Sequence, residues 1–168
     1  MVDVGSKPVT TRQATARARL RLSPAAWSAL TGRTLPKGDA LAVARLAGIQ
    51  AAKRTAEWIP LCHPLPLEHV AVSIALEDEE HCATILATVR AQAKTGVEME
   101  ALVGAAAAAL ALYDMLKAVD RGLVVEEILV LEKLGGKSGA FHHPRVKARV
   151  ERMQLRARAE SPKLKARA

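Results

Sequence analysis

KTGVEMEALVGAAAAALALYDMLKAVDRG, Lys94 to Gly122, decides the fold, because it joins one long apolar helix to carboxylates and a lysine at both of its ends. Thr95 and Glu98 stand at the T-x-x-E spacing of a capping box, which predicts a helix start there, and Gly122 after Arg121 predicts the stop. Between them GAAAAALA has side chains small enough to let a second helix or a sheet approach closely, while Leu102, Leu110 and Leu112 add apolar bulk. Asp114 and Lys117 are three apart and share a face, where they can pair or act together on a ligand. If the pair is buried, both of its pKa values shift, giving a depressed lysine or a raised carboxylate for acid and base chemistry. Glu98 cannot easily join them. Sixteen steps of helix put about 24 Å between Glu98 and Asp114, so a site using both ends has to be shared between two subunits.

Working outward, Thr15–Leu22 alternates Ala16, Ala18 and Leu20 with Arg17, Arg19 and Arg21, which predicts a half-buried strand. Ser23 before Pro24 opens a short helix that ends at Gly32. LPKGD makes a turn carrying Lys37, and Asp39 caps a second helix running from Ala40 to about Trp58, where Pro60 ends the pattern. IPLCHPLPL holds three prolines in nine residues, so it is a stiff extended connection that fixes Cys62 and His63. Val70, Val72, Ile74 and Leu76 alternate, as do Ala83, Ile85, Ala87 and Val89 beyond the acidic turn EDEEH, which predicts an antiparallel hairpin. LVVEEILVLEKL is the last strand, followed by GGKSG. The order strand, helices, strand, strand, helix, strand is that of an α+β, ferredoxin-like antiparallel sheet with helices covering one face.

Composition narrows the function classes. The 168 residues suffice for one domain with a real core, here placed at residues 1–143, with a basic tail over 144–168. Nine Lys and Arg against two Glu from Arg145 to Ala168 give the tail +7 of the net +8, so the body is nearly neutral and is not a generic polyanion binder. Four aromatic residues supply little for base stacking, so nucleic acid is not the expected partner of the body. Cys62 and Cys82 form neither a disulfide framework nor a four-ligand zinc site, which fits a reducing cytoplasm. MVDVGSKPVTTR lacks the apolar region of a signal peptide, and the alanine-rich helix is the nearest approach to a membrane span, though bracketed by charge.

Several residues can carry chemistry. Lys37 precedes a helix N-terminus, where free N–H groups already favour an anion, although a solvated turn lysine is the commoner occurrence. GGKSG is not a P-loop, because Leu131 occupies the position of the first glycine and no helix follows. His63 has no second His or Cys at ligand spacing, which argues against zinc; it serves equally as an acid or base and as a backbone-bonded loop residue. Glu98 is explained by the capping box, whereas Glu100 is not.

Taken together, KGDALAVARLAGIQAAKRTAEWIPLCHPLPL, KTGVEMEAL, YDMLKAVDRG and LEKLGGKSG closely resemble the cyclic pyranopterin monophosphate synthase family, the molybdenum cofactor biosynthesis protein C family, over Met1 to Gly139. The resemblance implies a ferredoxin-like subunit, dimers assembled into a hexamer, and active sites at the dimer interface. It implies conversion of the cyclised GTP intermediate to cyclic pyranopterin monophosphate with release of pyrophosphate. No cofactor is required, although Mg2+ can accompany the triphosphate. By position in the family motifs, Lys37, Asp114 and Lys117 are the expected catalytic residues. Cys62, His63, Glu98, Met99 and Glu100 are expected in the pocket, with Arg12, Lys133 and Lys137 as phosphate contacts. Whether Lys37 and Lys117 reach one site from the same chain or from two is left open. Ala93 stands where the family commonly has glycine, and relatives usually carry residues ahead of the segment matching Met1. The competing reading is a catalytically idle relative that binds nucleic acid or a partner through its basic tail.

Overall fold

A computed structural model describes residues 1–144. The tail expected from residue 144 onward lies outside the described residues, apart from Pro144. Five strands form one antiparallel sheet in the order β2-β3-β1-β4-β5. They are β1 (Thr10–Arg21), β2 (His69–Glu77), β3 (Cys82–Ala93), β4 (Val124–Leu134) and the two-residue β5 (Phe141–His142). The helices are α1 (Pro24–Thr31), α2 (Ala40–Ala52), α3 (Thr55–Trp58) and α4 (Glu98–Leu116). Setting β5 aside, this is the split βαββαβ arrangement expected, with β1 and β3 at the centre.

On one face of the sheet Ala14, Ala16 and Ala18 pair with Val89, Ala87 and Ile85, all fully buried. Ala101, Ala105 and Ala108 of α4 complete that core. Because these side chains are small, α4 sits close to the sheet, and α2 meets α4 backbone to backbone. A Cβ added at Gly48 would lie 2.7 Å from the carbonyl oxygen of Gly104. The close approach read from GAAAAALA is therefore real and fixes the spacing of the helical layer.

Four local expectations change. β1 is buried on both faces: Arg17 and Arg19 are only 5% exposed, because Arg17 pairs with Glu127 while Arg19 pairs with Glu77, Glu80 and Glu126. The second helix breaks after Ala52, where the Thr55 hydroxyl donates to the Ala52 carbonyl and competes with the helical ladder. No capping box forms at α4. Val97 is the N-cap and makes no side-chain cap bond, so Glu98 is the first helical residue instead of the third after a threonine cap. Gly122 does not end the helix either, since α4 stops at Leu116 with Lys117 as its C-cap, and the Gly122 N–H donates to Asp120 instead. By length and composition α4 is apolar enough to cross a bilayer; here most of it is buried inside the fold.

Candidate active site

The expected residues gather at the two ends of α4. At its C-terminal end, the turn before α2 delivers Lys37 to Asp114. Lys37 Nζ donates to Asp114 Oδ2 at 2.7 Å and to the Asp114 carbonyl at 3.1 Å. Lys117 Nζ lies 2.5 Å from the other carboxylate oxygen, Oδ1. One carboxylate thus bridges two ammonium groups of the same chain. About half of each of the three side chains is exposed, so the buried pair anticipated from the apolar helix does not exist. The expected raised carboxylate is reversed as well. The hydrogen bond from Lys117, then that from Lys37, holds the Asp114 carboxyl down at about 2. Asp114 is an anion at neutral pH, and it aims two cations at the same patch of surface.

The opposite end of α4 has contrary physics. Glu100 is 2% exposed, and its Oε2 is buried without a hydrogen-bond partner. Its Oε1 accepts from Cys62 Sγ at 3.7 Å, the thiol being fixed by the proline-rich connection. Burial pushes the Glu100 carboxyl up, and the nearby charge of Glu98 adds to the rise. Burial, then Glu100, pushes the Cys62 thiol up too. Glu100 lines a cavity of about 340 Å³ together with Lys53, Arg54, Thr55 and Pro64. A neighbouring cavity of about 360 Å³ is lined by His63, Gln92, Lys94 and Thr95. Met99 is half-buried between the two glutamates.

Arg12 comes to this same end from the start of β1. Its guanidinium donates to the carbonyls of Ala93 and Lys94, and it lines a small cleft with Glu98 and Lys133. GGKSG is the turn between β4 and β5, with Gly135, Gly136 and Gly139 in left-handed conformations. Lys133 donates to Ser138 across that turn, while Lys137 stays exposed upon it. Lys53, Arg54 and Lys94 were missed by the sequence reading. For Lys53 and Arg54 the signal was present in AAKRT, where two cations stand at the end of a largely apolar helix, shortly before the proline-rich connection. No group of three or more metal-ligating side chains occurs among the described residues.

The motifs thus fall at two places on one scaffold, and comparison with known proteins says which scaffold it is. The MoaC family model matches residues 1–136. The chain belongs to the MoaC family. It is 56% identical over 144 residues to a cyclic pyranopterin monophosphate synthase of Herpetosiphon aurantiacus, covering 86% of this chain and 88% of that one. A synthase of the same name from Shouchella clausii is 50% identical over 147 residues, covering 86% and 89%. Molybdenum cofactor biosynthesis protein 1 of Bos taurus is 56% identical over 142 residues, which cover 84% of this chain and 22% of that protein.

Within this MoaC-family fold, α4 is a spacer. Glu98 and Asp114 both lie on it, sixteen residues apart, so the helical rise separates the two clusters by about 24 Å. Neither cluster reaches the other within one chain.

Proposed function

We propose that this chain is a lyase of molybdenum cofactor biosynthesis that converts the cyclised GTP intermediate to cyclic pyranopterin monophosphate and pyrophosphate. The single observation that carries the reading is the bridging of Lys37 and Lys117 by Asp114 in a chain more than half identical to a named synthase. Closing a cyclic phosphate forms one new P–O bond at the phosphorus nearest the sugar and breaks its bond to pyrophosphate. The attacking hydroxyl gives up a proton, and the leaving pyrophosphate must be met by positive charge. Lys37 holds the phosphates, exchanging the Asp114 carboxylate for phosphate oxygens. Lys117 transfers protons, with ionised Asp114 keeping its ammonium group in place.

The other cluster holds the ring system and adds further phosphate contacts. Arg12, Lys133 and Lys137 contact phosphate oxygens, and Lys53, Arg54 and Lys94 add positive charge around the cavities. Cys62, His63, Glu98 and Met99 line the ring pocket, in which Glu100 presents a carboxyl that burial pushes toward its neutral form. Because α4 separates the clusters, the proposal unites them across two copies of the chain, as dimers built into a hexamer. It requires no cofactor of the protein, and a magnesium ion carried on the triphosphate is compatible with it. The reaction is placed in the cytoplasm, where its GTP-derived substrate arises.

The test is pyrophosphate release and pterin formation from the cyclised GTP intermediate by wild type, Lys117→Ala, Glu100→Ala and a mixture of the two variants after subunit exchange. Each variant alone should be nearly inactive. If each site draws one cluster from each chain, random pairing restores about a quarter of the sites in the mixture. Lys37→Ala mixed with Lys117→Ala should stay inactive, since both lysines belong to one cluster. Wild type that releases no pyrophosphate would sink the enzyme reading, and a mixture that stays inactive after verified exchange would sink the shared site.

A further inference from the structure

Two glycines in the N-terminal cluster are occupied by charged head groups rather than by neighbouring backbone. A Cβ at Gly136 would run into the Arg12 guanidinium, and its nearest atoms all belong to that side chain. A Cβ at Gly96 would run into the Glu98 carboxylate, and again nothing else lies closer. Gly135 is different, because its obstacle is the Thr11 carbonyl, a fixed part of the sheet. Gly139 is different again, with a left-handed φ of +67° and open space around it.

Arg12 is therefore clamped from two sides. Ala93 and Lys94 accept from its Nε and Nη2 at 3.3 and 3.5 Å, while Gly136 supplies the floor on which the guanidinium lies. Two of the five N–H donors of a guanidinium are spent in this way, which leaves the others for a ligand. Arg12, Gly96, Glu98 and Lys133 line a common cleft of about 10 Å³, room for about one water. A polyphosphate cannot enter so small a space, so it has to lie across the mouth and be met by head groups held in the right place.

We infer that Gly136 is a positioning residue of a polyphosphate subsite, acting through Arg12, and that Gly96 positions the ring-pocket residue Glu98 on the other wall of the same cleft, each by leaving the space in which the head group rests. This rests on the proposed synthase reading for the substrate, but not for its test. The side chains that would have to yield are flexible at their ends, so an added methyl group displaces the head group, with the strain of a left-handed backbone added at Gly136, whose φ is +77°.

The experiment measures inorganic tripolyphosphate binding by calorimetry, KM and kcat for the cyclised GTP intermediate, and Tm, for the full chain and its variants. Gly136→Ala is expected to weaken tripolyphosphate binding and raise KM about tenfold, the scale of one charge-assisted hydrogen bond. In an Arg12→Ala background the same change should have no further effect, because the obstacle is gone. Gly139→Ala, which carries the same kind of backbone strain without the obstacle, should leave binding unchanged. Gly96 is not in a left-handed conformation, so Gly96→Ala is free of that strain. It should keep Tm within a degree or two yet raise KM without changing tripolyphosphate binding, and it should have no further effect on KM in a Glu98→Ala background. Equal loss of binding with and without Arg12, equal loss in Gly139→Ala, or no tripolyphosphate binding by wild type would overturn the inference. If wild type binds tripolyphosphate but turns nothing over, the synthase reading falls while the binding cycle still decides the role of the glycines.

Discussion

The two ends of α4 hold carboxylates in opposite conditions. Asp114 is half-exposed and bridged by two lysines, while Glu100 is buried with one oxygen unpartnered. The first is held ionised and the second is pushed toward its neutral form. The difference teaches that one helix can hold one carboxylate ionised and push another toward its neutral form without the two disturbing each other, because fourteen residues, about 21 Å of helix, separate them. Only the juxtaposition of two chains would bring them to one substrate.

The largest expected effect separates the ends by what a mutation costs. Lys37→Ala and Lys117→Ala remove exposed partners of Asp114, so kcat should fall by about 10²–10⁴-fold, the range of a lost positioned acid or base. Their Tm should stay near wild type, because exposed substitutions usually shift stability by less than about 0.5 kcal/mol. Pyrophosphate release and thermal unfolding measured on the same samples check both halves. A variant that loses activity only in proportion to lost stability would break the contrast, by making the exposed cluster structural.

The next effect concerns the spacer itself. Gly48 lets α2 lie on α4 at Gly104, where an added Cβ would meet the Gly104 carbonyl first, with Ala108 Cβ and Val72 Cγ2 each at 3.1 Å. Gly48→Ala must push the helices apart, at a cost of about 1–3 kcal/mol for overpacking. The loss should appear in denaturant midpoint and in activity together, since the turn carrying Lys37 leads directly into α2. Stability unchanged from wild type would mean that the helical layer gives way, and that the separation of the two ends is not rigidly set.

How much of this was legible follows from the range of each interaction. Alternation of Ala16, Ala18 and Leu20, the Ser23 and Asp39 caps and the proline-rich connection are local, and each holds in the structure. The small residues of α4 announced a close neighbour, but not that Gly48 would be the contact. Arg17 and Arg19 looked like a solvent face, because nothing in their own strand shows the glutamates of β2, β4 and the hairpin turn that bury them. The T-x-x-E spacing misled for a related reason. Glu98 folds back over Gly96 and α4 begins only after Val97, so the threonine never caps. The family motifs named the residues that the structure gathers at the two ends of α4, and Glu100 was already conspicuous for lacking a local explanation. The Lys37–Asp114 contact spans seventy-seven residues and is created only by the packing of α2 on α4.

The smallest effect is the sharpest probe of the comparison, because the two carboxylates must bend the pH dependence of stability in opposite directions. Glu100 has its carboxyl raised by folding. Below the ordinary value of 4.5 both states hold the proton and nothing is lost. As pH rises above 4.5, the unfolded chain releases a proton that the folded chain keeps, so stability declines until the folded group also ionises. The slope within that window is at most about 1.4 kcal/mol per pH unit. Glu100→Gln removes the titration and should flatten this decline, with the variant gaining on wild type as pH rises. Asp114 has its carboxyl lowered from 3.8 to about 2, so its contribution is present above 3.8 and disappears as pH falls through the lower value. Asp114→Asn should therefore lose ground to wild type only on the neutral side and converge with it in acid, by an amount kept small through solvent screening. Unfolding midpoints taken across the acid range for both variants give two difference curves. Their slopes should have opposite signs, and two curves of the same sign would mean that the ends of α4 do not differ in the way their burial and pairing require.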